Sequence, residues 1–330
     1  MSTLRGMLGR LFGAAGEQEP PGGAGLRRVP LALDPGQFRE LKDPSPVYDG
    51  TRWHLFATAI SDERGFQVLH ATAPALPGPW QLLAPVGLDD IPGSCVAAPG
   101  AIAEGSRLHL FVQTDFDRFG GRIEHLVSAD GGASFDRGRT ALNSLPRGPE
   151  AGIYDPHPAV VRGAKLLVYS AFSVIGQPDL YLARSRSGEW RGPWDRLGAL
   201  LRQEDVWCQN QRGSAGYEWG LEGGQLLELP DGRLLLNAVC FLPGGVPGAR
   251  QRVFFAFGRE VLGSYDVAGP VLDPRRGPTK GENGHGSAVL DGDRLALFFQ
   301  ERSRLDPRWR LALASGPLPV EPDGPDAPPR

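Results

Sequence analysis

Apolar and polar positions along this chain group into short alternating runs, with almost no helical periodicity. Five segments share one form, an apolar run, a tight turn carrying glycine, and a second apolar run. They are SPVYDGTRWHLFATA from Ser45, GAIAEGSRLHLFVQT from Gly100, PAVVRGAKLLVYSAF from Pro158, QLLELPDGRLLLNAV from Gln225 and SAVLDGDRLALFFQE from Ser287. Their turn glycines, Gly50, Gly105, Gly163, Gly232 and Gly292, follow one another at steps of 55, 58, 69 and 60 residues. DG, EG and RG at such reversals are hairpin chemistry, because glycine accepts the positive φ that a tight turn demands. Third runs such as FQVLHATA from Phe66, IEHLVSAD from Ile123 and DLYLARSR from Asp179 come next, and GPW at Gly78–Trp80 and Gly192–Trp194 marks a fourth short element. Four short antiparallel strands at a near-constant period predict an all-β, five-bladed β-propeller.

Composition agrees with that pattern. Glycine and proline number 46 and 31 of 330 residues, a surplus that punctuates short strands, while 41% hydrophobic residues suffice for a core. Leu4, Met7, Leu8, Leu11 and Phe12 have helical spacing, but GAAGEQEPPGGAG follows at residues 13–25. Residues 1–28 are therefore read as a flexible N-terminal segment, 29–315 as the propeller, and 316–330 as a Pro-rich tail without packed structure. The net charge of −3 and the lack of a basic stretch interleaved with aromatics exclude a nucleic-acid surface. No apolar run approaches the ~20 residues of a membrane span, and Arg5 and Arg10 interrupt the apolar residues that a signal peptide would need. Cys95, Cys208 and Cys240 are odd in number and widely spaced, which predicts free thiols and a cytoplasmic location. Neither HExxH nor comparable metal spacing occurs.

In a propeller, the residues leading into each innermost strand gather around one axis. Those positions hold Lys42-Asp43-Pro44, Ala98-Pro99-Gly100, Tyr154-Asp155-Pro156, Leu221-Glu222-Gly223 and Gly284-His285-Gly286. Three carboxylates and a histidine, distant in sequence, are thus expected in one axial cleft. Burial and mutual repulsion there would spread their pKa values into acid and base roles. Trp219 and Trp53 are candidates to stack on a sugar face, and Asn283 and Arg302 to bind hydroxyls or an anionic group. His157 follows Asp155 by two residues and ranks below His285.

The set DPSPVYDG, YDPHPAVV, LEGGQLLE and GHGSAVLDG resembles the five-bladed propeller clan of glycoside hydrolase family 43 and its relatives in families 32 and 62. The resemblance implies Asp43 as general base, Asp155 as the residue that orients and tunes the acid, Glu222 as general acid, and His285 beneath the subsite. It further implies hydrolysis of a small glycoside without a cofactor, a lone axial cation over His285 being the one metal to look for. The acid motif reads EGG where the family has EGP. Ser128–Phe135 also resembles the sialidase Asp-box, a peripheral hairpin turn remote from chemistry. Inverting hydrolysis is the expected reaction. The alternative is a non-hydrolytic propeller, either a carbohydrate- or metabolite-binding protein or a biosynthetic enzyme with the same pocket.

Overall fold

The computed structural model describes residues 25–319 except 89–90, 92, 94, 116–119, 174–177, 207–219, 242–250, 273–280 and 304. Trp219 lies outside the described residues. Five four-stranded antiparallel sheets surround an axis as the blades of a propeller. Blade one comprises Glu40–Tyr48, Trp53–Ser61, Gly65–Ala73 and Gln81–Leu82; blade two, Ala97–Glu104, Arg107–Thr114, Arg122–Ser128 and Asp136–Asn143. Blade three comprises Gly152–Val161, Ala164–Phe172, Asp179–Ser185 and Trp194–Leu201; blade four, Leu221–Glu228, Leu234–Phe241, Gln251–Gly258 and Asp266–Pro270. Gly281–Asp291, Arg294–Ser303 and Arg310–Pro317 form blade five, and its outer strand is Arg27–Val29 from the start of the chain. Ring closure therefore joins the two ends of the propeller, with Val29 paired to Leu313 and Arg27 to Ser315. The outer strand begins two residues before the boundary drawn from sequence.

All five expected turn glycines have positive φ between the first and second strands of their blades. The core is divided into five apolar clusters, one between each pair of neighbouring blades. Period-two geometry explains the division. In the second strand of blade four, Leu234, Leu236, Ala238 and Cys240 face blade three, while Leu235, Val239 and Phe241 face blade five. A strand buried on both faces reads as one apolar run, which is why LLLNAVCF shows no alternation. The Asp-box sequence is the turn between the third and fourth strands of blade two, where Asp130 accepts bonds from the Ser128 hydroxyl and the Ser134 backbone N–H. Cys240 is disulfide-bonded and Cys95 is free. The expectation of three free thiols is thereby corrected: the residue spacing in sequence carries no record of which thiols meet in space. Among the described residues, no helix is long and apolar enough to cross a membrane.

Candidate active site

Every innermost strand carries the same irregularity. Its pairing with the second strand skips two residues: Asp43-Pro44, Ala98-Pro99, Asp155-Pro156, Gly223-Gly224 and His285-Gly286. These are β-bulges, and the first residue of each is left-handed, with φ of 52° at Asp43, 46° at Ala98, 51° at Asp155, 58° at Gly223 and 40° at His285. For a residue with a Cβ, that conformation costs about 1–3 kcal/mol. Four of the five blades keep it nonetheless. Side chains from the preceding blade's second strand hold the bulges in place. The backbone N–H of Asp43 donates to Gln300, that of Ala98 to Thr58, that of Asp155 to Gln113 and that of Gly223 to Ser170. In blade four the corresponding position, opposite Glu222, is Val239, which has no acceptor.

The five bulges and His157 enclose a small axial cavity of about 30 Å³, room for about one water. Asp43, Asp155 and His285 are its ring of side chains, and all three are buried or nearly so. The blade-four member of that ring is Gly223, with Glu222 one residue ahead and in phase with Lys42 and Tyr154. Sequence reading aligned Glu222 with Asp43, and the bulge register moves it by one. A Cβ at Gly223 would stand 3.0 Å from His285 Nδ1, so the imidazole occupies the space that a blade-four side chain would have filled.

Around His285 the carboxylates take opposite edges. Nδ1 lies 3.2 Å from Asp43 Oδ1 and 3.8 Å from Asp155 Oδ2, and Nε2 lies 3.4 Å from Glu222 Oε2. The other Glu222 oxygen accepts a hydrogen bond from the Tyr154 hydroxyl at 3.1 Å. Lys42 Nζ sits 3.6 Å from Asp43 Oδ2. Glu222 is the more open of the three acids, 13% exposed against 5% for Asp43 and 7% for Asp155.

This packing separates the titrations. Burial pushes Asp155 up, the charges of Glu222 and Asp43 add to that, and the carboxyl reaches about 7 despite His285 and Lys42. Burial also disfavours ionised Asp43, but Lys42 and His285 outweigh it and hold that carboxyl below its ordinary value. For His285, desolvation is overcome by Asp155, Asp43 and Glu222, which raise it to about 9. Asp155, Glu222 and His285 offer donor atoms within 4.8 Å of one another. With both ring nitrogens facing carboxylates, however, His285 is an imidazolium and has no lone pair for a cation. A cation held by these residues would have to displace that proton.

The remaining sequence candidates stand apart from this group. Trp53 begins the second strand of blade one, at the far end of the hairpin, and is core between blades five and one, 5.2 Å from Tyr48. Asn283 is fully buried, accepting from the Val253 N–H and donating to Leu272 O, a tie between blades five and four. Arg302 bonds Glu282 at 2.5 Å and lies over the Trp309 ring. Polar and aromatic residues near a motif look alike in sequence whether they face a cleft or a neighbouring blade. Lys42 and Tyr154 were not singled out, although each immediately precedes an Asp-Pro pair. His157, ranked low, lines the cavity and pairs with Ser287 at 3.2 Å.

No protein-family model and no curated protein matches the sequence. Solved structures with the same five-bladed fold do match. An endo-arabinase from Bacteroides thetaiotaomicron superposes with a TM-score of 0.62 at 16% identity, over 90% of this chain and 98% of that one. An α-L-arabinofuranosidase from Podospora anserina in complex with cellotriose gives 0.60 at 16% identity, covering 87% and 93%. A family 32 β-fructofuranosidase from Bombyx mori gives 0.61 at 16% identity, over 86% of this chain and 62% of its own. At such identity the likeness is one of fold.

Proposed function

We propose that the axial centre is the active site of a glycoside hydrolase that acts on a small glycoside by inversion. The observation that carries the reading is the placement of Asp43, Asp155 and Glu222 around His285, with the Asp43 carboxyl held down and that of Asp155 pushed up, in a fold whose similar structures include arabinan- and fructoside-cleaving enzymes. Asp43, kept ionised by Lys42 and His285, takes the proton of the attacking water. Glu222, the most open acid, gives a proton to the departing glycosidic oxygen. Asp155 retains a proton to about pH 7, and its carboxyl, within 4.8 Å of Glu222, is at a span that one bridging water relays. The His285 ring standing between Asp43 and Glu222 favours the wide separation of an inverting pair, about 6.5–9.5 Å, over the ~5–5.5 Å of a retaining one. Cytoplasmic residence loses its cysteine argument with the disulfide at Cys240, and the proposal assigns no compartment.

A panel of nitrophenyl pentosides and hexosides, with the released anomer followed by NMR, tests the reading. Hydrolysis with inversion that disappears in Asp43→Asn is the expected result. Retention of configuration, or full activity in Asp43→Asn, would reject it.

A further inference from the structure

Opposite the axial site, at the end of the blades where first and second strands turn, a cavity of about 610 Å³ opens between blades two and three. Its walls include Glu104, His109, Asp136, Arg139, Trp190 and Arg191. Blades one and two carry the same trio of an acid and two buried histidines 55 residues apart, Asp49, His54 and His70 in one, Glu104, His109 and His125 in the other. In blade one the trio is closed. Asp49 Oδ2 is 2.9 Å from His54 Nε2, His54 Nδ1 is 2.9 Å from His70 Nε2, and Phe135 of blade two packs edge-on against the stack. Since a carboxylate only accepts, the Nε2 of that outer histidine bears the proton.

In blade two the histidines pair likewise, at 3.0 Å, but the acid is missing from its place. Lys165 holds Glu104 at 2.6 Å, and the other Glu104 oxygen stops 3.8 Å from His109 Nε2, beyond hydrogen-bond reach. His109 Nε2 is left buried without a partner, and the indole N–H of Trp190, whose ring centre lies 5.9 Å from that of His109, is also without one. Their side chains are nearly wholly buried, 8% exposed for His109, whose pKa burial drives down to about 4; the ring is neutral, and in the tautomer that His54 has in blade one its Nε2 is a donor. Buried donors without acceptors cost free energy that a ligand can return.

We propose that this cavity binds a carboxylate-bearing small molecule of sugar-acid size, whose carboxylate takes at His109 the place that Asp49 takes at His54. The half-exposed Glu104 is the group it displaces, and Trp190 Nε1–H is its second donor. Arg139 and Arg191 draw the anion in, and Asp136 accepts from hydroxyls. The volume lies within the range of ordinary small-molecule sites.

Calorimetric titration of the full chain with D-glucuronate, D-glucose and acetate tests this. Glucuronate should saturate on the order of 1 mM, with glucose not binding and acetate binding far more weakly. His109→Phe should weaken glucuronate about tenfold or more, as expected for losing a hydrogen bond to a charged group. Because that variant touches the core, two surface-side variants accompany it. Glu104→Ala removes the competing carboxylate and should tighten binding, whereas Lys165→Met frees Glu104 to close on His109 and should weaken it. Absence of saturation, equal binding of glucose, or wild-type affinity in all three variants would overturn the site. Acetate binding as tightly as glucuronate would overturn its assignment to a sugar acid.

Discussion

At the scale of single residues, the site depends on a backbone conformation that side chains resist. Gly223 is the instructive position, since its φ of 58° makes a Cβ costly and one placed there would stand only 3.0 Å from the His285 ring. Gly223→Ala should cost about 1–2 kcal/mol for the left-handed conformation. By displacing the imidazole it should also lower kcat by at least about tenfold, the worth of a misplaced catalytic constellation. Urea melts and single-substrate kinetics on the same variant separate the two effects; unchanged kcat would show that His285 does not organise the acids. The pH profile follows from the titrations. Asp43 is ionised across the neutral range, so activity is limited on the alkaline side, where Asp155 loses its proton near 7 and His285 near 9. A kcat/KM profile should be flat below neutrality and fall above about pH 7; a rise through that range would contradict the assignment. Asp43, Asp155 and His285 were legible in sequence because they share one place in the repeat. The step of Glu222 by one residue was not, since the spacing from bulge to turn glycine varies between blades, seven residues from Asp43 to Gly50 but nine from Gly223 to Gly232.

At the scale of elements, each blade is an antiparallel sheet buried between its neighbours, and in blades one and two the buried polar residues include histidines kept neutral. Desolvation lowers His70 and His109 to about 4 and His125 to about 3. A histidine whose folded pKa lies below its unfolded value of about 6.5 supports the fold above that value and withdraws its support as pH falls through the folded one. The urea midpoint should therefore decline steadily from pH 6.5 to 4, and replacing His70 and His125 together should flatten that decline. A midpoint independent of pH over the window would show that these rings are charged in the fold. The strands themselves were legible from five hairpin turns and alternating runs. What the histidines do was not, because pairs such as His54 with His70 meet across neighbouring strands, sixteen residues apart.

For the whole molecule, the ring closes where its two ends meet. Arg27–Val29 completes blade five, and Leu26 beside it is 3% exposed in the cluster between blades four and five. Leu26→Ala should cost about 2–5 kcal/mol, as for other buried leucines, measured as a lowered denaturant midpoint; a loss within ~0.5 kcal/mol would mean that closure contributes little. Five blades could be counted from sequence, but the fourth strand of the last blade could not be found near it, since it is three residues long and stands at the other end of the chain. The central claim concerns the axial acids as an acid–base pair. Its most direct measurement compares Glu222→Gln with the unaltered protein on an alkyl glycoside and on an activated aryl glycoside of the same sugar. The account expects a loss of ~10²–10⁴ in rate on the alkyl substrate, the usual worth of a general acid, and a far smaller loss on the aryl one, whose leaving group needs little protonation. Equal losses on both substrates would contradict it.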